Sequence, residues 1–381
     1  MKKSKLKKSL FYGSGVALLI IFAFTFYLHS LPNHFMPPAM DGSYEQEYVH
    51  GKIVKVGSPD EGGGMDLKVE IYAGEEKGKI RDVRYDTFNN FNEFKEGDVI
   101  TVYKSVNTAT GDASYDAADY YHMNGVGWMF AVFALVAVVV AGRKGVRAIV
   151  SVLAALGFFY FFFLKLIAIG FSPVWGAMIF VVIVTLISIP LIHGLNRKSL
   201  ASVIAIFVGY AASLVIVYMF KGLAGLGSAP GEDFRLLGTV FGGIDLGEIL
   251  LASLFLGAVG ALIDTAISIS SAIFETLQEA PNTTFKKVYK IGMNVGKDIL
   301  GSMINTLLFA YIASSLPFFV LLSLSQESGD NMFYNLMNMD FIALELTRTF
   351  VGAVSLVLLI PLVSATSAYY LIKGKAVLQG R

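Results

Sequence analysis

About eight stretches of roughly 20 apolar residues run through this chain, each long enough to cross the hydrocarbon of a bilayer as a helix. They lie near residues 10–28, 125–141, 148–169, 172–192, 200–220, 246–273, 294–323 and 343–372. A chain that is 55% hydrophobic and 15% charged has too little polar surface to shield that much apolar length from water, so lipid is its implied solvent. The expected class is a mainly α-helical polytopic membrane protein.

Lys and Arg collect on the cytoplasmic side of such proteins. Here they cluster at Lys2, Lys3, Lys5, Lys7 and Lys8, at Arg143, Lys144 and Arg147, at Arg197 and Lys198, at Lys286, Lys287 and Lys290, and at Lys373, Lys375 and Arg381. With eight spans every cluster falls on one side, which makes both termini cytoplasmic. The chain then divides into an N-terminal anchor over 1–30, an extracytoplasmic β-rich domain with linkers over 31–123, and a seven-helix membrane domain over 124–381. A cleaved signal peptide is the alternative for the first span; its long core and the lack of a small-residue cleavage site argue against it. Leu31 to Pro38, with three prolines, reads as a linker.

In the second segment VHGKIVKV, MDLKVEIY, KGKIRDVRY and DVITVYK read as short strands between Gly-rich or Asp-rich turns. Leu67, Val69 and Ile71 alternate with Lys68 and Glu70, as a half-buried strand requires. A small OB-like or SH3-like barrel fits. Acids outnumber bases there, which argues against nucleic acid as a partner because phosphates need a basic face. Asp60, Glu61 and Asp66, or Asp112, Asp116 and Asp119, lack the spacing of a calcium loop and read as solvated surface rather than as a divalent-ion site.

Zero cysteines exclude thiolate metal sites and cysteine nucleophiles, and none of the five histidines lies inside an apolar run. GSGVALLI near the N-terminus lacks the GK[ST] ending of a Walker loop, which argues against ATP as direct energy source; no cofactor is expected. The outer loop from Lys221 to Gly247, rich in glycine, reads as surface loop, with re-entry into the membrane as the alternative. Lys165, near the outer boundary, is expected to snorkel to the headgroups.

Polar side chains at lipid depth are the candidate functional residues. Asp264, Ser268, Ser271 and Glu275 fall at i, i+4, i+7 and i+11 and share one helix face; Asn294, Asp298, Gly301 and Asn305 repeat the spacing on the next helix. If the two helices are antiparallel, Asp264 is level with Asn305, Ser268 with Gly301, Ser271 with Asp298 and Glu275 with Asn294. That register predicts two facing polar edges, with Asp264 near mid-depth and Glu275 at the cytoplasmic boundary. Lys297 points about 100° away from Asp298 and is poorly placed to neutralise it. Gly257, Gly260, Gly292, Gly296 and Gly301 permit close helix approach. In the last span Glu345 and Arg348 stand one turn apart, either paired locally or with Arg348 answering a carboxylate on another helix. Pro361, followed by Ser364, Thr366 and Ser367, predicts a kink whose freed backbone groups are met by hydroxyls.

Three function classes compete for these residues. The first is a permease or ion-translocating protein whose pathway lies between the sixth and seventh spans: Asp264 is the ion or proton site, Asp298 and Glu275 form the cytoplasmic approach, and Asn294, Ser268, Ser271 and Asn305 add neutral oxygens. Such a lining suits a hard cation or a proton and disfavours zinc or copper. The second is a non-catalytic scaffold whose outer domain recruits a protein partner while the stripes serve as glue. The third, an intramembrane aspartyl protease, is least favoured, because the expected register separates Asp264 and Asp298 by about 10 Å along the axis. GALID also lacks a glycine directly before Asp264. No catalytic residue is assigned, and oligomeric state is left open.

The segments GAVGALIDTAISISSAIFE, KIGMNVGKDILGSMINTLLFAYIASSLPFFVLL and ELTRTFVGAVSLVLLIPL resemble the YibE/F family of bacterial membrane proteins. The resemblance extends over the leading span, the β-rich domain with its KGK and GDVITV segments, and the seven-helix body. It implies a bacterial cytoplasmic-membrane protein and assigns no activity. The family-like positions are Asp264, Ser268, Ser271, Glu275, Asn294, Asp298, Asn305, Thr306 and Arg348; Lys297 stands where the family more often has Arg.

Overall fold

The computed structural model describes residues 25, 27–31, 44–60, 64–86, 93–194, 196–226, 232–324 and 338–379. Most of the expected first span, the linker after Leu31, Glu61 and much of the loop at 325–337 lie outside the described residues. The chain forms two compact units, one of residues 36–142 and one of residues 1–35 and 143–381.

The first unit holds five strands: β1 (Tyr44–Pro59), β2 (Gly64–Ile71), β3 (Ile80–Asp86), β4 (Val99–Asn107) and β5 (Ala113–Tyr120). They close a barrel in the order β1-β2-β3-β5-β4. β1 pairs antiparallel with both β2 and β4, and β3 meets β5 in parallel. That order and the parallel closure are those of the OB barrel, which decides between the two candidates. β1 serves both halves by bending at irregularities between Ile53 and Lys55 and between Val56 and Pro59. Gly51 and Gly57 allow the close crossing, since a Cβ there would stand 2.5 Å from the Glu70 carbonyl oxygen and 2.4 Å from that of Asp66. Leu67, Val69 and Ile71 are fully buried, with Val49, Ile53, Val83, Ile100 and Val102 beside them. β5 was not legible as a strand, because ASYDAADY has no β-branched residue and buries only Ala117 fully, with Tyr115 and Tyr120 partly buried beside it.

Three side chains tie β3 and β5 to the turn after β2. Arg81 donates to both carboxylate oxygens of Glu76 at 3.0 and 2.8 Å, Tyr115 donates its hydroxyl to Glu76 at 2.6 Å, and the Arg81 guanidinium lies 5.6 Å from the Tyr115 ring centre. The hydrogen bond from Arg81, helped by that from Tyr115, holds the Glu76 carboxyl down at about 2. Burial, then the neighbouring Glu76, pushes Tyr115 up to about 12. Glu76 thus adds stability that is present above its ordinary value of 4.5 and lost as pH falls toward 2; Tyr115 adds stability that is lost as pH rises from 10 toward 12. Protection of the β3 and β5 amides, taken relative to unstructured peptide at the same pH, should be greatest between these limits. Glu76→Gln should remove the acid limb, at a cost of about 1 kcal/mol after solvent screening.

Helix α1 (Met123–Ala141) follows the barrel and has no buried residue. The second unit contains α2 (Arg143–Ala168), α3 (Pro173–His193), α4 (Arg197–Leu223), α5 (Glu232–Val240), α6 (Leu246–Glu279), α7 (Phe285–Ser314), α8 (Leu316–Leu324) and α9 (Asp340–Gln379). Among the described residues six helices are long and apolar enough to cross a membrane: α1, α2, α3, α4, α6 and α9 as far as Lys373. The protein is a multi-pass membrane protein with a small β-barrel. The expected seventh span is divided at Ser315 between α7 and α8, and α7, with its polar face, is not among the six. The loop from Lys221 to Gly247 contains α5. In α2 the aromatic run Phe159–Phe163 takes a π turn, and Lys165 just after it donates to the carbonyl oxygen of Leu31 at 2.8 Å.

α9 is the spine of this unit and packs along α4, α6 and α7. Small residues carry the crossings, as expected where lipid gives no hydrophobic drive for helices to associate. Ser355 bonds Ser213 of α4 at 3.0 Å, Ser367 bonds Ser270 of α6 at 2.8 Å, and Gly292 and Gly296 of α7 lie against Ser364 and Ile360. The hydroxyls after Pro361 therefore do not meet backbone groups freed by the proline. Thr366 bonds the Leu362 carbonyl oxygen, Ser367 faces α6, and the Ser364 hydroxyl has no partner among the described residues.

Candidate functional site

Ser172, just before α3, donates a hydrogen bond to Glu248 in the first turn of α6, so the two helices start level. α3 has 21 residues and α6 has 34, so at a rise of ~1.5 Å per residue α6 runs about 20 Å past the end of α3. His193 ends α3 and lies within electrostatic reach of Asp264. Asp264 accordingly sits about 8 Å short of the level where α3 ends, rather than at mid-depth. The sequence shows how far apart residues on α6 are, but not that its surplus length lies all at one end.

The antiparallel pairing of α6 and α7 holds to within one helical turn of the expected register: Ile269 lies against Gly296, Ile273 against Gly292 and Tyr311 against Gly257. The facing of the polar edges does not hold. Isoleucine against glycine closes the seam, while Asp264, Ser268, Glu275, Asn294, Asp298 and Asn305 are all exposed on the described chain. Geometry explains it: Asn294 and Asp298 stand two residues from Gly292 and Gly296, about 200° around the helix. Ser271 is half-buried and donates to the Ile267 carbonyl oxygen at 2.6 Å, and Thr306 likewise bonds Ser302 within its own helix. Asp264 and Asp298 do not pair with each other, and no cluster of three or more metal-ligating side chains occurs among the described residues, the barrel acids included. Asp60 instead pairs with Arg84 at 3.1 Å.

The structure extends the α6 edge toward its N-terminus. Ser253, Gly257 and Gly260 precede Asp264, Ser268, Ser271 and Glu275 at spacings of three or four, and none of them is buried. At one end Arg348 donates to Glu345 at 2.6 Å and reaches the Ser253 hydroxyl at 3.5 Å, while Tyr311 donates to the Gly257 carbonyl oxygen at 2.8 Å. Glu345 is only 7% exposed, and its second carboxylate oxygen has no partner among the described residues. At the other end Lys198 stands 4.0 Å from Glu275. A model of the family described as YibE/F-like protein matches residues 129–373. The chain belongs to the YibE/F-like family. Within this YibE/F-like chain the match begins inside α1 and takes in every helix of the edge, and the barrel lies outside it. No curated protein and no solved structure matches the chain.

Sequence spacing on one helix found Asp264, Ser268, Ser271 and Glu275 but missed His193, Ser253 and Tyr311. Each joins the YibE/F-like edge from another helix or from beyond the stripe. The one signal for His193 is its position at the end of the fourth apolar stretch, on the same side as Arg197 and Lys198.

Proposed function

We propose that the protein is a permease of the bacterial cytoplasmic membrane, with both termini cytoplasmic and the barrel outside, that moves a hard cation or a proton along the α6 edge. The observation that supports this reading is the continuity of the edge: small or oxygen-bearing residues run from the Glu345 and Arg348 pair to Asp264, His193 and the Glu275 and Lys198 pair. A carboxylate exposed inside the hydrocarbon span is costly and marks ion or proton pathways more often than it serves as glue. Oxygen ligands suit hard cations, and Asp264 within electrostatic reach of His193 suits a proton equally. Arg348 orients Glu345 through its hydrogen bond, and Ser268 and Ser271 offer hydroxyls along the exit. The test is flux in vesicles containing the purified protein, read with proton-sensitive and cation-sensitive dyes. Flux above that of empty vesicles is expected; leak no faster than in empty vesicles contradicts the reading.

A second reading, a non-catalytic scaffold, draws on the closed seam between α6 and α7 and on the barrel surface. Tyr48, which is 70% exposed, packs 5.1 Å from Tyr103, and His50 stacks on Tyr121 at 4.5 Å with Tyr72 beside it. Tyrosine-rich faces of this kind are common in protein interfaces. Under this reading vesicle flux is absent and the barrel alone decides what the protein recruits.

A further inference from the structure

α7 buries Val288, Gly292, Gly296 and Leu307 and turns its polar side away from the other described residues. Asn294, Asp298, Gly301 and Asn305 are exposed, and a Cβ added at Gly301 would meet nothing within 4 Å. Lys297 and Asp298 are both exposed, and neither takes part in an ion pair among the described residues. Gly296 is in contact with Ile269 of α6, the level at which α3 ends, so Gly301 and Asn305 lie within the thickness that α3 spans. Asn305 is about 13 Å inside that level. An amide there finds no hydrogen-bond partner in lipid.

We infer that α7 of a second copy of this chain covers this face, in a parallel two-fold pairing. The exposed residues are spaced four, three and four apart, which is the seam of a left-handed pair of helices. Copies inserted in the same orientation can meet about a two-fold axis normal to the membrane only with equivalent helices parallel, so each seam residue meets its own counterpart at the same depth. Asn305 then exchanges amide hydrogen bonds with the other copy's asparagine, which is how a single polar residue fixes the register of a helix pair. Gly301, one turn away, lets the backbones approach. Lys297 of one copy comes to flank Asp298 of the other, supplying the neutralisation that neither obtains on its own helix. Lipid meets none of these three needs, whereas a second α7 offers an amide to Asn305, a glycine to Gly301 and a lysine to flank Asp298. The pairing requires no ion to move and goes beyond the permease reading.

The chain has no cysteine, so single substitutions report cleanly. Gly301→Cys and Asn294→Cys, both with Asn305 in place, should form a product of twice the chain mass on oxidation in membranes, at least about tenfold more than Leu300→Cys and Met303→Cys, whose side chains pack against the chain's own core. Adding Asn305→Leu to Gly301→Cys should cut that product at least fivefold while leaving the helical content of the purified protein unchanged. Equal crosslinking at all four positions, none at 301 and 294, or a product whose mass fits another protein would overturn the proposal. Flux without this product defeats the pairing alone, and the product without flux defeats the permease reading alone.

Discussion

Asp264→Asn is expected to lower vesicle flux at least about tenfold while leaving abundance and helical content at wild-type levels. Asparagine keeps the shape and one acceptor oxygen of the carboxylate, so what the substitution removes is charge and the capacity to take up a proton. Asp264 is exposed and leaves no cavity behind it, so the folded state should change by no more than about 0.5 kcal/mol. Removing a carboxylate from the hydrocarbon span should, if anything, ease insertion. Asp298→Asn is the matched control. Asp298 is also exposed but on the outward face of α7, away from the α6 edge, so its loss should cost much less flux. Equal effects of the two would place the pathway elsewhere.

Gly296→Leu is expected to abolish folding of the helical unit, and Gly296→Ala to destabilise it by about 1–3 kcal/mol. A Cβ at this position would stand 2.4 Å from Ile360 Cγ2 and 3.1 Å from Ile269 Cδ1, so α7 cannot keep its seat against both α6 and α9. Alanine gains up to about 1 kcal/mol in helix propensity, which offsets only part of the overlap. Gly157→Ala, where nothing lies within 4 Å, should be neutral or slightly stabilising. Detergent-solubilised yield and thermal midpoint separate these outcomes.

The contrast between Gly296 and Asp298 also shows where the sequence was readable and where it was not. Apolar length marks the spans at α1, α2, α3, α4, α6 and α9, and alternation at Leu67, Val69 and Ile71 marks a half-buried strand, because both signals are local. Helical spacing likewise found which residues of α6 and α7 share an edge, and antiparallel pairing set their register to within a turn. Spacing carries no information on which way an edge points. On α7 the competing face is made of Val288, Gly292, Gly296 and Leu307, as small and apolar as any packing face, and it is the one that binds α6 and α9. Depth was equally hidden, since it depends on the level start of α3 and α6 that the bond from Ser172 to Glu248 reveals. His193 is a contribution from a separate helix that no pattern within α6 could announce.

The central claim is that the α6 edge is wet along its length, and the most direct measurement is the reaction of single cysteines with a membrane-impermeant maleimide in intact vesicles. Gly260→Cys, on the edge between Asp264 and the Arg348 contact, should label within about tenfold of Ser268→Cys near the basic end. Val215→Cys, on α4 and 61% exposed to the surroundings of the helices, should stay unlabelled because only lipid reaches it. If Gly260→Cys is as inert as Val215→Cys, water does not follow the edge and the permease account is wrong.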